Sequence, residues 1–166
     1  MIPNVVRTWA PCGQTPIVHH RYRREKISAI SAVSISARQH RPGFYIHLHP
    51  NNITHIEVAV FLRSLLRHLR GHVIVILDGG AVHKGRDVRQ LQAKVQRLHI
   101  ERLPGYAPEL NPDEFAWSYM KKGLSNGCPE NVDDLMRDVS RMAKKICLNP
   151  GLIRSFVAAS GLSPFF

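Results

Sequence analysis

The order of hydrophobic and polar positions predicts four strands in the part of the chain after residue 26. Ile27–Ile35 alternates small and apolar residues and predicts a central strand, and Phe44–Leu48 predicts a second strand that pairs with it antiparallel. The run VIVILD, from Val73 to Asp78, is β-branched and aliphatic up to its last residue, which is typical of a buried strand that ends at a site. A last short strand is predicted at Leu98–Leu103.

Helical periodicity separates these strands and continues after them. Thr54 and Glu57 form the pattern of a capping box, and they predict a helix that runs to about Arg70. Its predicted apolar face consists of Ile56, Val60, Phe61, Leu65 and Leu69. Another face has Arg63, Arg67 and Arg70, which form either a basic stripe or an ordinary solvated surface. Further helices are predicted at 87–96, 131–147 and 149–160.

The first 26 residues predict an extended hairpin. Apolar pieces near Val5–Trp9 and from Ile17 onward predict two strands, and the segment APCGQTP between them predicts the turn. Arg7 and Trp9 would share a face of the first strand. Arg7 is then either a phosphate contact in a DNA enzyme or a surface charge on an edge strand.

Length and composition indicate one globular domain. The chain has 166 residues, of which 44% are hydrophobic and 21% charged, and this is ordinary for a protein with a core of its own. No apolar run approaches the roughly 20 residues that span a bilayer, and no basic-then-apolar leader precedes the domain. We therefore expect a cytoplasmic location and no membrane partner.

The charge balance is strongly basic. A formal net charge of +11 and a pI near 10.2 favour a polyanionic partner, most simply nucleic acid, although a ribosomal or otherwise nonspecifically basic protein has the same property. The three cysteines are odd in number and show no CxxC spacing, so neither a disulfide framework nor a zinc site is predicted.

Two acidic residues are the candidate catalytic and metal-binding residues. Asp78 ends the buried strand, and Glu114 lies in the first turn of a helix after the Pro-rich loop LPGYAPELNP. The 35 residues between them, positions 79–113, leave room for a loop, a helix and a strand that return the chain to the same place. Two convergent carboxylates suit Mg²⁺ or Mn²⁺ ions that clamp a phosphodiester.

Local helix chemistry is the alternative explanation for Glu114. Asn111 is a good N-cap, Pro112 suits the first helical position, and Glu114 three residues after the cap would complete a capping box. The neighbouring acid, Asp113, would point about 100° away from Glu114 on the same helix.

Together the motifs resemble a known family. LDGGAVHKG and LPGYAPELNPDEFAW are similar to the second and third catalytic blocks of the mariner-type DDE transposases, in their bacterial insertion-sequence branch, and RTWAPCGQTP and KISAISAVSI resemble the same family. The similarity covers nearly all of the chain. It implies a single catalytic domain over residues 1–166, of the α/β class, with an RNase H-like mixed sheet flanked by helices.

The resemblance also implies a chemistry and a set of site residues. Asp78 and Glu114 would match the second and third of three acids that bind Mg²⁺ or Mn²⁺, for DNA cleavage and strand transfer at insertion-sequence ends. His83 would touch DNA or orient a carboxylate. We expect DNA contacts from Arg7, Lys84, Lys121 and Lys122. Many relatives have Asn where this chain has Gly79.

Two parts of the family pattern are expected to be missing. The first acid normally lies on a strand just before the segment MIPNVVRTWAP, and a helix-turn-helix region normally recognises the ends of the element. The resemblance therefore implies an N-terminally truncated catalytic domain whose first strand is missing or incomplete. An upstream transposase fragment or a second copy of the chain, as a homodimer, would be its protein partners. The alternative is an inactive fragment that binds DNA or a transposase.

Overall fold

The structure is a computed structural model that describes residues 6–15, 17, 26–36, 41–127 and 129–161. The strands within these residues are β1 (Ser28–Ile35), β2 (Pro42–His49), β3 (Val73–Leu77) and β4 (Leu98–Arg102). The α-helices are α1 (His55–His68), α2 (Arg86–Lys94), α3 (Pro112–Gly123), α4 (Val132–Cys147) and α5 (Pro150–Ala159). Two short 3₁₀ helices cover Ala81–Lys84 and Pro108–Leu110. None of these helices is both long and apolar enough to cross a membrane.

The strands pair in two different directions. β1 and β2 are antiparallel, with Ser28 opposite His49, whereas β3 and β4 are parallel, with Val73 opposite Leu98. The mixed α/β class predicted from the sequence is confirmed. In the described part of the chain the strands form two separate two-stranded sheets, so β1 and β3 each have one unpaired edge.

A first core joins both sheets to one helix layer. Side chains from α1 and α2 form its centre, and β1, β3 and β4 add partly buried residues on one side of each sheet. The fully buried members are Val58, Ala59, Phe61, Leu62, Leu65, Leu66, Val88, Leu91 and Leu98. Both sheets therefore share α1 as a cover, although they do not share a hydrogen-bonded ladder.

A second core covers the other face of β1 and β2. It contains Phe44 from β2 together with residues from α3, α4 and α5: Ala116, Met120, Ala143, Ile146, Ile153 and Phe156. Helices thus lie on both faces of the β1–β2 sheet. Among the described residues the second face of β3 lacks such a cover, since Ile74 and Ile76 are 67% and 51% exposed.

Helix α1 begins as predicted, and three residues of its predicted apolar face, Phe61, Leu65 and Leu69, pack in or against the first core. The Thr54 backbone N–H and hydroxyl both donate to the Glu57 carboxylate, which confirms the capping box. The predicted burial of Ile56 and Val60 is wrong, because both side chains are half or more exposed. At about 100° per residue they lie on the side opposite the centre of the buried face.

The N-terminal segment forms no strand over residues 6–15 and 17, and it turns at Cys12 and Gly13. The prediction of a strand at Val5–Trp9 is therefore wrong for its described part, and Val5 and the stretch after Ile17 lie outside the described residues. Val6 is fixed to the C-terminal side of α3 by two hydrogen bonds of 3.0 Å, from its N–H to the Asn126 side chain and from that side chain to its carbonyl.

Candidate active site

Asp78 lies at the end of β3, at the start of a tight loop. Its Oδ1 accepts a hydrogen bond of 2.8 Å from the Gly80 backbone N–H and lies 3.2 Å from Nε2 of His83. The Asp78 side chain is 52% exposed, whereas that of His83 is 17% exposed. The loop thus holds one carboxylate oxygen in place while much of the carboxylate faces solvent.

His83 is held as a neutral ring beside this carboxylate. Burial lowers the pKa of His83, the Asp78 charge raises it in part, and Arg102 lowers it further. A neutral imidazole carries one N–H, on Nδ1 or on Nε2. Nδ1 of His83 is buried without a hydrogen-bond partner among the described residues. The arrangement fits orientation of a carboxylate better than contact with a phosphate.

The two glycines after Asp78 have different surroundings. A Cβ on Gly80 would lie 2.9 Å from Oδ1 of Asp78 and 3.2 Å from Cδ2 of His83. A Cβ on Gly79 would meet nothing within 4 Å. Gly80 is therefore required for the contact between the acid and the histidine, while Gly79 borders open space.

Glu114 lies in the first turn of α3. The Asn111 side chain caps this helix by accepting from the Asp113 N–H at 3.1 Å, and Pro112 is the first helical residue. Among the described residues the Glu114 side chain forms no capping box, unlike Glu57 in α1. Local capping therefore does not account for the Glu114 carboxylate, which is exposed.

Glu114 lines a pocket of about 370 Å³ with Trp117 and Lys121 from the same helix. The remaining lining residues are apolar and come from the β1–β2 sheet, its N-terminal approach and α4: Ile27, Ala29, Leu48, Leu135 and Val139. Asp78 is not part of this lining. The pocket thus brings a carboxylate and an ammonium group to an apolar floor.

Asp113 is the partly buried acid of the site, and it was set aside as a candidate from the sequence because it would point away from Glu114. Its Oδ2 accepts from the Ser31 hydroxyl at 2.7 Å and from the Trp117 indole at 3.2 Å, and its Oδ1 is buried without a partner among the described residues. Burial raises the pKa of Asp113 to about 6, the two hydrogen bonds oppose this, and the charges of Glu114 and Asp78 raise it further. Both predicted acids therefore lie within electrostatic range of Asp113.

The other residues predicted to contact DNA lie on different elements. Lys84 ends the 3₁₀ helix that follows Asp78, and Lys121 and Lys122 lie in the last turn of α3. All three are exposed, as is Arg7 beside the tethered Val6. Lys121 is the one that shares the pocket with Glu114. No group of three or more His, Cys, Asp or Glu residues in the described part of the chain has the arrangement of a complete metal site.

Comparison with solved structures shows a shared fold. The chain is similar to the Mos1 mariner transposase in a pre-cleavage transpososome, with a TM-score of 0.58 and 18% identity over 96% of this chain and 52% of that chain. It is similar to a Mos1 paired-end complex with Mn, with a TM-score of 0.57, 17% identity and coverage of 96% and 52%. Against the catalytic domain of Mos1 alone, the TM-score is 0.50 and the identity 15%, over 81% of each chain.

These likenesses establish an RNase H-like fold. The chain spans about half the length of the longer Mos1 chains that it matches. No curated protein matches it. The family profile described as DDE superfamily endonuclease matches residues 2–136. Because that match covers most of the sequence, the protein belongs to the DDE superfamily endonuclease family.

Proposed function

We propose that the chain is the catalytic domain of a DNA transposase of the bacterial insertion-sequence branch, which cleaves DNA and transfers strands with a divalent metal. The observation that carries the proposal is the position of two acids on different elements of an endonuclease-family fold. Asp78 follows β3, Glu114 begins α3, and both influence the same buried carboxyl group, Asp113. This common influence on Asp113 supports the convergence of the two acids.

The donor set fits Mg²⁺ or Mn²⁺. Both ions prefer carboxylate oxygens, and the exposed parts of Asp78 and Glu114 can approach a cation without the cost of burying two like charges. Bound there, the ion would activate the attacking oxygen and neutralise the charge that develops on the phosphodiester. One Mos1 structure is described as a paired-end complex with Mn, which supports a divalent metal for this chain.

The chain's own residues would position the acids and the DNA. Nε2 of His83 lies 3.2 Å from Oδ1 of Asp78, where the ring would fix the direction of that carboxylate. Lys84 lies next to the Asp78 loop and Lys121 next to Glu114, where ammonium groups can bind phosphates on either side of the scissile bond. Lys122 and Arg7 would extend this positive surface.

The proposed substrates are insertion-sequence ends and target DNA. Mos1 structures described as a paired-end complex and as a strand transfer complex make the same class of substrate reasonable here. The net charge of +11 supports a DNA partner, because each phosphate contact releases counterions from DNA.

An upstream transposase fragment is the proposed protein partner. β1 and β3 pack against the same first core, yet in the described residues each pairs on one edge alone. Unpaired backbone groups on a strand edge suit the addition of a further strand. A homodimer would be the other way to cover these edges.

The partner proposal is tested by mixing the chain with an upstream fragment and measuring the mass of the complex. A one-to-one complex with new hydrogen-exchange protection in β1 and β3 is expected. A two-chain complex without the fragment would favour the homodimer, and no association of any kind would contradict both partners.

The catalytic proposal is tested by nicking of supercoiled DNA in Mn²⁺ with the upstream fragment present. We expect nicking that Asp78→Asn and Glu114→Gln abolish, while Asp133→Asn, an exposed acid in the first turn of α4, leaves it intact. DNA binding without nicking would instead favour the inactive DNA-binding fragment.

A further inference from the structure

Asp113 forms hydrogen bonds with three residues of the site, two through one carboxylate oxygen and one through its backbone N–H. Its Oδ2 accepts from Ser31 in the middle of β1 and from Trp117 one turn further along α3. Its backbone N–H is itself bound by the cap residue Asn111. The first turn of α3 is therefore attached to the sheet through this side chain and to the preceding loop through its backbone.

We propose that Asp113 is a positioning residue that fixes the direction of Glu114. The inference rests on the proposed function, because it assigns Asp113 a role in the metal site that Glu114 would form. Glu114 is the next residue, so any rotation of this helical turn that breaks the bond to Ser31 also moves the Glu114 carboxylate. Trp117, which shares Oδ2, lines the same pocket as Glu114.

The alternative is that Asp113 simply complements the positive end of α3. An acid in the first turn of a helix gains this interaction while its side chain remains exposed. Asp113 is instead partly buried, and its Oδ1 is fully buried with no hydrogen-bond partner in the described residues. A buried acceptor without a partner costs free energy, so the burial needs a reason beyond the helix dipole. The bond to Ser31, 82 positions away, provides that reason.

Three substitutions separate the hydrogen bonds of Asp113 from its charge. Asp113→Ala removes both, whereas Asp113→Asn keeps an oxygen acceptor and removes the charge. Ser31→Ala keeps the charge and removes one hydrogen bond. The proposal predicts that Mn²⁺ affinity falls about tenfold in Asp113→Ala and by a smaller factor in Ser31→Ala, and that Asp113→Asn restores it to nearly the wild-type value.

The opposite ranking of the variants by Mn²⁺ affinity would overturn the proposal. If Asp113 acts through its charge, the Mn²⁺ affinity of Asp113→Asn will be as low as that of Asp113→Ala. The Mn²⁺ affinity of Ser31→Ala will then equal that of the wild type. Should Asp113→Ala fail to fold, the comparison of Ser31→Ala with Asp113→Asn still decides between the two roles.

Fluorescence of Trp117 gives a readout that does not depend on metal. The chain has two tryptophans, and Trp9 is 99% exposed, so Trp9→Phe leaves Trp117 as the single indole emitter. We expect Asp113→Ala to shift the Trp117 emission and Asp113→Asn to leave it near its original position.

The two readouts distinguish failure of this inference from failure of the proposed function. If the folded wild type binds no Mn²⁺, the proposed metal chemistry is wrong, and the emission of Trp117 alone decides whether the Asp113 anchor exists. If the emission is the same in all variants, Asp113 does not hold this turn and the positioning role is wrong.

Discussion

At the scale of single residues, the geometry around Asp78 depends on the missing side chain of Gly80. An Ala Cβ there would lie 2.9 Å from Oδ1 of Asp78, so the carboxylate must move. The backbone angles of Gly80, φ −53° and ψ 141°, suit alanine, so the substitution adds no backbone strain.

We therefore predict that Gly80→Ala lowers metal affinity while it leaves the free energy of unfolding within about 0.5 kcal/mol of the wild type. Gly79→Ala is the matched control, because its Cβ would enter open space. Calorimetric titration and chemical denaturation of both variants measure the two quantities. Equal metal affinity in the two variants would contradict the arrangement described for Asp78.

The raised pKa of Asp113 makes stability depend on pH. The folded protein keeps this proton up to a pKa of about 6, whereas the unfolded chain releases it near 3.8. The folded state thus binds more protons between these values, and stability falls as the pH rises through this window.

Asp113→Asn should remove this dependence. We predict that the stability of the wild type relative to Asp113→Asn falls by about 1 kcal/mol between pH 5 and pH 7. Urea denaturation of both proteins at the two pH values gives this difference, and the subtraction cancels the opposite contribution of His83, which both proteins share. A difference that is constant or rises with pH would show that Asp113 is ionised throughout.

The sequence predicted where two residues of this candidate site lie in the fold, because patterns of neighbouring residues decide those positions. Local patterns place Asp78 at the end of an apolar strand and Glu114 in the first turn of a helix, whereas the family resemblance implied their catalytic roles. The burial of Asp113 could not be found in this way, because it depends on Ser31, which is 82 positions distant. The contact between His83 and Asp78 was one of two roles that the resemblance left open for this histidine.

At the scale of secondary-structure elements, the starts of α1 and α2 pack closely. A Cβ on Gly85, the residue before α2, would overlap the Cβ of His55, the first residue of α1. Nδ1 of His55 also lies 2.7 Å from the carboxylate of Asp87 in the first turn of α2. Little room remains for a side chain at position 85.

We predict that Gly85→Ala lowers the free energy of unfolding by about 1–3 kcal/mol, because the two helices must separate to accept the methyl group. Gly85 has φ −68° and ψ 165°, so strain in the backbone does not contribute. Denaturant unfolding, with Gly79→Ala as control, tests this, and an unchanged midpoint would show that the helices can adjust freely.

Element boundaries were predictable where capping residues mark them. Asn131 accepts from the Asp134 N–H, and Asn149 accepts from the Leu152 N–H, as expected for the caps of α4 and α5. The buried face of α1 was predicted less well, because apolar residues occur on two sides of this helix. The division of the strands into two sheets was not predicted, since edge pairing depends on neighbours that sequence periodicity does not reveal.

At the scale of the whole molecule, the positive charge should make DNA binding strongly dependent on salt. Each lysine that neutralises a phosphate adds about 0.9 to the slope of log affinity against log salt. Lys121 and Lys122 lie at the C-terminal end of α3, near the proposed site.

We predict that Lys121→Gln and Lys122→Gln each weaken DNA binding and lower the salt slope by about 1. Lys94→Gln is the control, because Lys94 ends α2 shortly before β4 begins, at the other end of the parallel strands from Asp78. Fluorescence anisotropy with a DNA duplex at several salt concentrations gives the slopes. Equal salt slopes for all three variants would show that α3 does not contact the DNA backbone.

The central claim is that Asp78 and Glu114 belong to one divalent-metal site. Calorimetric titration of the chain with Mg²⁺ and Mn²⁺, alongside Asp78→Ala, Glu114→Ala and the control Asp133→Ala, tests it most directly. We predict binding in the wild type and the control, and its loss in either site variant, because each carboxylate supplies oxygen ligands that the other cannot replace. Binding that survives both site substitutions, or no binding by the folded wild type, would contradict the claim.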